Sequence, residues 1–398
     1  MEKTELLAPA GDLERLKIAV MYGADAVFIG GKRFSLRSRA SNFEVSDIKE
    51  GVKFAKTYGA QIHVTVNMLP HDEDFDGLEE YIRDLDKVGV SAVICASLYI
   101  AKKVVAMKTN MEVHLSTQQS ALNKLSTDFY QELGIKRVVL GRELSMEQIS
   151  SISKNSDIDI EAFIHGGMCS NYSGRCTLSN FLTLRDANRG GCAQSCRWKY
   201  HVIEDGKDIS DLNKLFSMSS KDLMAAKFIP QLIEAKVSSL KIEGRMKSLY
   251  YIATVVRGYR HLIDAYYANR NLTEQEIEYF IDEITRAENR PVDSGFYKGR
   301  PGVSGHIYAR SSENVTHDFL GTVLLKEENR VLVEVRNKFE KGEVIEFFGP
   351  ELETYRLDFS EAYDYKDNEK IEVCNVPMQQ VWIETNLNIK ESYLIRKG

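Results

Sequence analysis

The sequence is poor in the residues that make chains loose or cross-linked. Seven prolines in 398 residues and no low-complexity tract argue against long disordered linkers. No apolar run approaches the roughly 18 residues a membrane span needs. The charged start Met-Glu-Lys-Thr-Glu lacks the apolar core of a signal peptide. The expectation is a cytoplasmic protein without membrane contact, in which paired disulfides are rare. Three signatures are missing as well: the H-E-x-x-H of zinc peptidases, the G-x-S-x-G of serine hydrolases and the G-x-G-x-x-G of dinucleotide-binding sheets. Nor is there an overall excess of basic charge. A net charge of −6 speaks against a surface that coats nucleic acid broadly, and leaves a local basic patch open.

What is present is a regular alternation. Eight apolar runs fall at 6–10, 26–30, 61–67, 92–97, 112–119, 137–144, 158–166 and 239–245, mostly with helical patterns between them. Such alternation predicts parallel β/α units, and eight of them predict a TIM-like (β/α)8 barrel over residues 1–246. An open doubly wound sheet is the second choice, and its Gly-rich turn is absent. Barrels of this kind carry their sites at the C-terminal ends of the strands. Asn67, Ser97, Ser116, Gln118, Arg142, Glu143, His165, Glu243 and Arg245 fall there. Residues 247–299 read as a helical extension. Its tyrosines 250, 251, 259, 266 and 267 recur at helical spacing, which points to core rather than base stacking. Two prolines and four glycines around 290–305 mark a change. Residues 300–398 then read as a small all-β barrel domain.

Four of the six cysteines lie within 28 residues, at Cys169, Cys176, Cys192 and Cys196. Their spacing, C-x6-C-x15-C-x3-C, has no C-x2-C knuckle of the structural zinc type. Disulfides, zinc and an iron–sulfur cluster all remain open on spacing alone. Arg175, Arg185, Arg189, Arg197 and Lys199 face a single acid, Asp186, between positions 165 and 200. Such cations stabilise thiolates. Cys95 and Cys374 stand alone on predicted strands and read as plain buried residues.

Around the first two cysteines stand Glu161, Phe163, Gly166, Met168, Cys169, Gly174, Cys176, Leu178 and Ser179. At this spacing they resemble the signature of the U32 (collagenase-like) peptidase family. Gly167 departs from it, because the signature has Ser or Ala there. The stretches 5–11, 24–31, 36–43 and 241–251 extend the resemblance over most of residues 5–270. Among the family's branches the chain looks most like the one serving tRNA 5-hydroxyuridine modification. That resemblance implies a 4Fe–4S cluster on Cys169, Cys176, Cys192 and Cys196, with zinc as the alternative. It also implies tRNA as the partner, hydroxylation of a wobble uridine as the activity, and prephenate as a candidate co-substrate. A collagenase-like peptidase, a subunit working with a second family member in a heteromeric hydroxylase, and a zinc-stabilised RNA-binding module are the competing readings.

On this view His165, Glu243 and Arg245 are the catalytic candidates, although a satisfied structural histidine and a salt bridge at the barrel mouth explain them equally well. Arg37, Arg39, Asn67, Gln118 and Arg142 are candidates for substrate binding. Arg175, Arg185, Arg189, Arg197 and Lys199 are candidates for RNA phosphates.

Overall fold

The computed structural model describes residues 3–36, 42–213, 215–287, 290–308 and 318–398. The strands β1 (Glu5–Pro9), β2 (Ala26–Gly30), β3 (Gln61–Val66), β4 (Ala92–Cys95), β5 (Glu112–Leu115), β6 (Arg137–Val139) and β7 (Asp159–Gly166) pair in parallel, each with the next. Three short strands follow, β8 (Ile203–Glu204), β9 (Lys207–Asp208) and β10 (Asp222–Met224), and then β11 (Ser239–Ile242). β11 pairs in parallel with both β7 and β1, which closes an eight-stranded barrel. Runs such as Ala26-Val-Phe-Ile-Gly30 are buried throughout, as strands covered on both faces must be.

Helices α1 (Leu13–Met21), α2 (Val45–Thr57), α3 (Leu78–Val88), α4 (Leu98–Ala106), α5 (Lys124–Glu132) and α6 (Met146–Asn155) follow the first six strands. Their starts are set by side-chain caps. Asp12 accepts from the Arg15 amide at 2.9 Å and Asn123 from the Ser126 amide at 2.9 Å; Ser145 and Gln148 form a capping box. α7 (Leu178–Thr183) lies in the cysteine segment, and α8 (Ile229–Glu234) precedes β11. α9 (Leu249–Ala268) follows β11 and packs against α1 and α10 (Glu274–Thr285). Tyr250, Tyr251, Tyr259 and Tyr266 of α9 are buried, so the tyrosine stripe is core. Among the described residues, no helix is long and apolar enough to cross a membrane.

The stretch between the seventh and eighth apolar runs is not helical throughout: its helix begins only at Ile229, and Asp222–Met224 is the strand β10. β10 runs antiparallel to the overlong end of β7, with Leu223 opposite Gly166 and Met224 opposite His165. β12 (Val292–Asp293) adds to it in parallel. Tertiary pairing with a strand that projects beyond the barrel overrides the local helical pattern.

The barrel interior holds charge as well as apolar side chains. Arg137 donates to Glu5 at 2.6 Å and lies 3.5 Å from Glu161; Lys241 donates to Glu161 at 2.7 Å. The rings of His63 and His114 meet edge-on, 4.9 Å apart.

The C-terminal unit contains β13 (Phe319–Lys326), β14 (Arg330–Val335), β15 (Phe339–Glu340), β16 (Val344–Phe348), β17 (Thr354–Asp358), β18 (Ala362–Asp364), β19 (Lys370–Ile371), β20 (Val373–Cys374), β21 (Gln380–Glu384) and β22 (Leu394–Lys397). Eight of these form one antiparallel sheet in the order β17-β16-β22-β13-β14-β21-β18-β19, a half-barrel in which no described pairing joins β17 to β19. It docks on α1 and α9. Tyr22 donates to the carbonyl of Ser392 at 3.0 Å, Arg257 to that of Leu352 at 2.7 Å, and Tyr250 stacks on Phe319.

Candidate cysteine site at the barrel mouth

β7 is the element that delivers the chain to the mouth. A register shift opposite Lys241 and Ile242 changes which side chains of β7 face inward. Phe163 therefore lies against the inward Lys241, whereas His165 turns outward to the α9 rings of Tyr251 and Tyr259. At Gly166 the backbone has φ 104° and a Cβ would collide with the Glu243 carbonyl, so only glycine fits. From there the chain crosses the mouth as the cysteine segment.

Hydrogen bonds hold that segment at each cysteine. The Asn171 amide donates to Cys169 Sγ at 3.4 Å, and its side chain donates to Cys176 Sγ at 3.3 Å. The Asn188 carboxamide brackets the Cys176 backbone, accepting from its N–H at 3.2 Å and donating to its carbonyl at 2.9 Å. Ser179 Oγ donates to the Gly191 carbonyl and accepts from the Ala193 amide, one residue either side of Cys192. Gly191 lets the loop close tightly, because a Cβ there would stand 2.7 Å from the Asp186 carbonyl oxygen. Beside Cys196, Tyr200 donates to the Ser195 carbonyl at 2.6 Å. Asn171 and Asn188 were not among the sequence candidates. Their signal was position: both lie inside the cysteine segment and carry amides that reach sulfur or loop backbone.

Cys176 is buried, Cys196 half-buried, and Cys169 and Cys192 exposed. Although Cys169 is exposed as a residue, the protein atoms packed around its sulfur desolvate it and push the thiol up, and the neighbouring Cys196 and Cys176 push the same way; the Asn171 amide and Arg142 pull against them. Cys176 and Cys196 thus lie near enough to Cys169 for charge on them to act on it. Among the described residues, no three His, Cys, Asp or Glu side chains converge closely enough to hold a single metal ion. Tetrahedral zinc at about 2.3 Å would need sulfurs within about 4 Å of each other. A four-iron cluster presents a separate iron to each thiolate and suits a wider set, and N–H donors to sulfur are what such a cluster uses. In chemical type, four free thiols with N–H donors to two of the sulfurs suit that group.

Cations surround the segment. Arg142 donates to the Gly167 carbonyl at 2.5 Å and lies over the Phe163 ring, 3.9 Å from its centre. A Cβ added at Gly167 would lie 3.1 Å from Arg197 Nη2, 3.6 Å from Glu243 Oε2 and 3.8 Å from Asp222 Oδ1. The place where the family signature carries Ser or Ala is thus a junction of one guanidinium and two carboxylates. Asp222 in turn accepts from Arg290 at 2.9 Å and lies 3.6 Å from Lys247 Nζ. Neither Asp222 nor Arg290 was among the sequence candidates.

The remaining candidates separate. His165 is buried, with Nδ1 3.3 Å from the Tyr259 hydroxyl, and burial, reinforced by Lys247, takes its pKa down to about 3 against the opposing pull of Glu243. A neutral imidazole turned outward into α9 is a packing group, and it does not pair with Cys169. Arg245 is buried under the β2–α2 connection, donating to Ser35 at 3.1 Å and Asn42 at 2.8 Å, with Thr65 at 3.5 Å. Its guanidinium occupies the space where Gly30 has no Cβ. Asn67 and Gln118 are joined at 3.3 Å beyond the C-terminal ends of β3 and β5. Arg37 and Arg39 lie outside the described residues. Of the five RNA candidates, Arg175 and Arg185 are exposed. Arg189 is tied to Asp74, and Arg197 faces Gly167. Lys199 Nζ is shielded from solvent, and burial followed by Arg290 lowers its pKa. A cavity of about 690 Å³ lies between α6 and α8, lined in part by Met146, Lys154, Gln231 and Tyr266, on the outer wall. None of the sequence candidates lines it.

A family model described as peptidase family U32 matches residues 11–306, and one for the U32 C-terminal domain matches residues 315–396. A relative from Bacillus subtilis (strain 168), "tRNA hydroxylation protein P1", is 46% identical over 405 residues, covering 100% of this chain and 95% of the relative. The "23S rRNA 5-hydroxycytidine C2501 synthase" of Escherichia coli (strain K12) is 40% identical over 309 residues, covering 76% of this chain and 46% of that one. Among solved structures, the U32 peptidase Mk0906 is 12% identical with a TM-score of 0.41, covering 61% of this chain and 93% of that one.

Proposed function

The chain belongs to peptidase family U32, and on that premise we propose that it is an enzyme of tRNA hydroxylation, converting a wobble uridine to 5-hydroxyuridine. The observation that carries the reading is the 46% identity to a tRNA hydroxylation protein along 100% of the chain. The four-cysteine segment at the mouth is the supporting feature. In this reading Cys169, Cys176, Cys192 and Cys196 hold a 4Fe–4S cluster, which when bound supplies one-electron chemistry. Asn171 fixes two of the sulfurs through N–H donors, and Asn188 and Ser179 hold the loop that carries the others. Arg142, Arg197 and Lys199 bring cations to the mouth alongside Glu243 and Asp222, and planar guanidinium groups suit a dicarboxylate co-substrate such as prephenate. Nucleoside mass spectrometry of total tRNA tests the activity. A strain lacking the gene should lose 5-hydroxyuridine and regain it with the wild-type gene; an unchanged level in the deletion strain sinks the proposal.

The peptidase reading is less well served. A thiol nucleophile needs a base within hydrogen-bond reach, and His165, the nearest histidine in sequence to Cys169, is turned into α9.

Of the basic residues proposed for RNA, Arg175 and Arg185 are the exposed ones. Arg185 stands exposed beside Phe181 and Leu184, which are 84% and 94% exposed. Cations interleaved with apolar and aromatic groups suit single-stranded RNA. Arg175→Ala with Arg185→Ala should weaken binding of an anticodon stem-loop and lower the slope of log K against log salt by about 1.4, or two phosphates at about 0.7 each. Arg189→Ala, which breaks the tie to Asp74, should leave that slope unchanged. Equal slopes for wild type and the double variant would place the RNA elsewhere.

A further inference from the structure

Beyond the C-terminal ends of β3 and β5 lies a buried donor whose orientation is fixed and which has no partner among the described residues. The Leu36 backbone N–H donates to Asn67 Oδ1 at 3.0 Å. An amide N–H can only donate, so this end of Asn67 is the oxygen and the other is the NH2 group. That NH2 donates to Gln118 Oε1 at 3.3 Å, and the Ser116 hydroxyl donates to the same oxygen at 3.1 Å. The Gln118 carboxamide therefore cannot be turned over without setting NH2 against NH2. Its Nε2, with two N–H donors, faces the other way. Gln118 is 3% exposed, and Nε2 has no hydrogen-bond partner among the described residues. The short 3-10 turn that carries it, Thr117–Gln119, packs against the turn Tyr172–Gly174 between Cys169 and Cys176. A buried donor held in place beside the cysteine segment is built for an acceptor that arrives with the substrate.

We propose that Gln118 Nε2 reads the 4-carbonyl oxygen of the target pyrimidine and so selects uridine over cytidine. This rests on the tRNA hydroxylation reading. A base to be modified at carbon 5 must leave its stack and be recognised by its edge. Uracil offers an acceptor at position 4, next to the reacting carbon; cytosine offers an amino donor there. Two donors facing each other in a buried site are repelled, and a site built to bond one group rejects the analogue that lacks it. The site is closed to solvent in the ligand-free chain, so side chains at the mouth must move to admit the base.

The decisive variant is Gln118→Glu. With its carboxyl ionised, the variant still accepts from Ser116 and Asn67, and the two N–H donors are replaced by an acceptor that carries negative charge. Binding is measured with two anticodon stem-loops that differ only in uridine or cytidine at the target position. Wild type should prefer uridine by at least tenfold, and the variant should lose or reverse that preference. Hydroxylation in the complemented strain should fall at least tenfold, with thermal midpoint and iron content as in wild type. Gln118→Met, which lacks the amide but keeps the length, serves if Gln118→Glu does not fold, and should likewise lose the preference. A variant with the wild-type preference overturns the assignment, even where hydroxylation is lost, because the acceptor is then some group other than the base. If wild type restores no 5-hydroxyuridine, the activity reading fails, while the binding ratio still decides Gln118.

Discussion

Replacing any one of Cys169, Cys176, Cys192 or Cys196 by alanine should remove most of the iron from anaerobically purified protein, together with its broad visible absorbance. Cys95→Ala and Cys374→Ala should keep both. The argument is one of donors and surroundings. A cluster needs four thiolates, and the mouth offers four thiols on a loop tied down by Asn171, Asn188 and Ser179. Cys95 and Cys374 are fully buried, and desolvation pushes each of their thiols up to about 12. A thiol so disfavoured as thiolate is a poor ligand. Asn171→Ala should lose less iron than any cysteine variant, since it removes one side-chain donor to sulfur and no ligand. Full iron content in one cysteine variant would remove that residue from the set. Stoichiometric zinc in wild type, without visible absorbance, would replace the cluster by a single-ion site.

The sequence displayed the barrel almost completely because each strand is an apolar run bounded by turn residues, and the periodicity of such runs is local. It displayed the cysteines because rare residues in a tight group are conspicuous. It did not display the irregularity at β7, where a register shift opposite Lys241 sends His165 outward. Counting strand ends assigns every terminal residue to the mouth, and a bulge breaks that count. The tie of Arg189 to Asp74 was hidden for a related reason. The two lie 115 positions apart, and nothing local signals the pairing. Asp222 was hidden because a three-residue strand that borrows its pairing from β7 has no periodicity of its own.

The same blindness covered the barrel's interior charges, and these predict the largest stability effect. Glu161 lies in one recognised stretch and Lys241 in another, and the fold joins them at 2.7 Å with side chains 0% and 6% exposed. Arg137 bridges Glu161 and Glu5, so two acids face two bases away from water. Burial alone would raise the Glu161 pKa, but Lys241 and Arg137 outweigh it and hold it below its ordinary value. Lys241→Met keeps the volume and leaves two carboxylates sharing one guanidinium. Removing one partner of a buried pair costs about 3–5 kcal/mol, or about 10 °C in thermal midpoint for a domain of this size. Adding Glu161→Leu leaves Arg137 with Glu5 alone and should recover most of the loss. The pH dependence identifies the cause. In wild type His63 and His114 have pKa values lowered first by burial, so the unfolded chain binds protons there from about pH 6.5 downward while the folded chain does not. Their contribution is complete above that pH and declines as pH falls, by up to about 1.4 kcal/mol per unit for each histidine. Glu161, lowered in the folded state, adds a further loss below about 4.5. In Lys241→Met the carboxylate is no longer held down and takes up a proton more readily as pH falls. The deficit against wild type should therefore be widest near pH 7 and narrow toward pH 4. A deficit that stays flat across that range would assign the cost to packing of the Lys241 stem on Phe28 and Phe163 rather than to an orphaned charge.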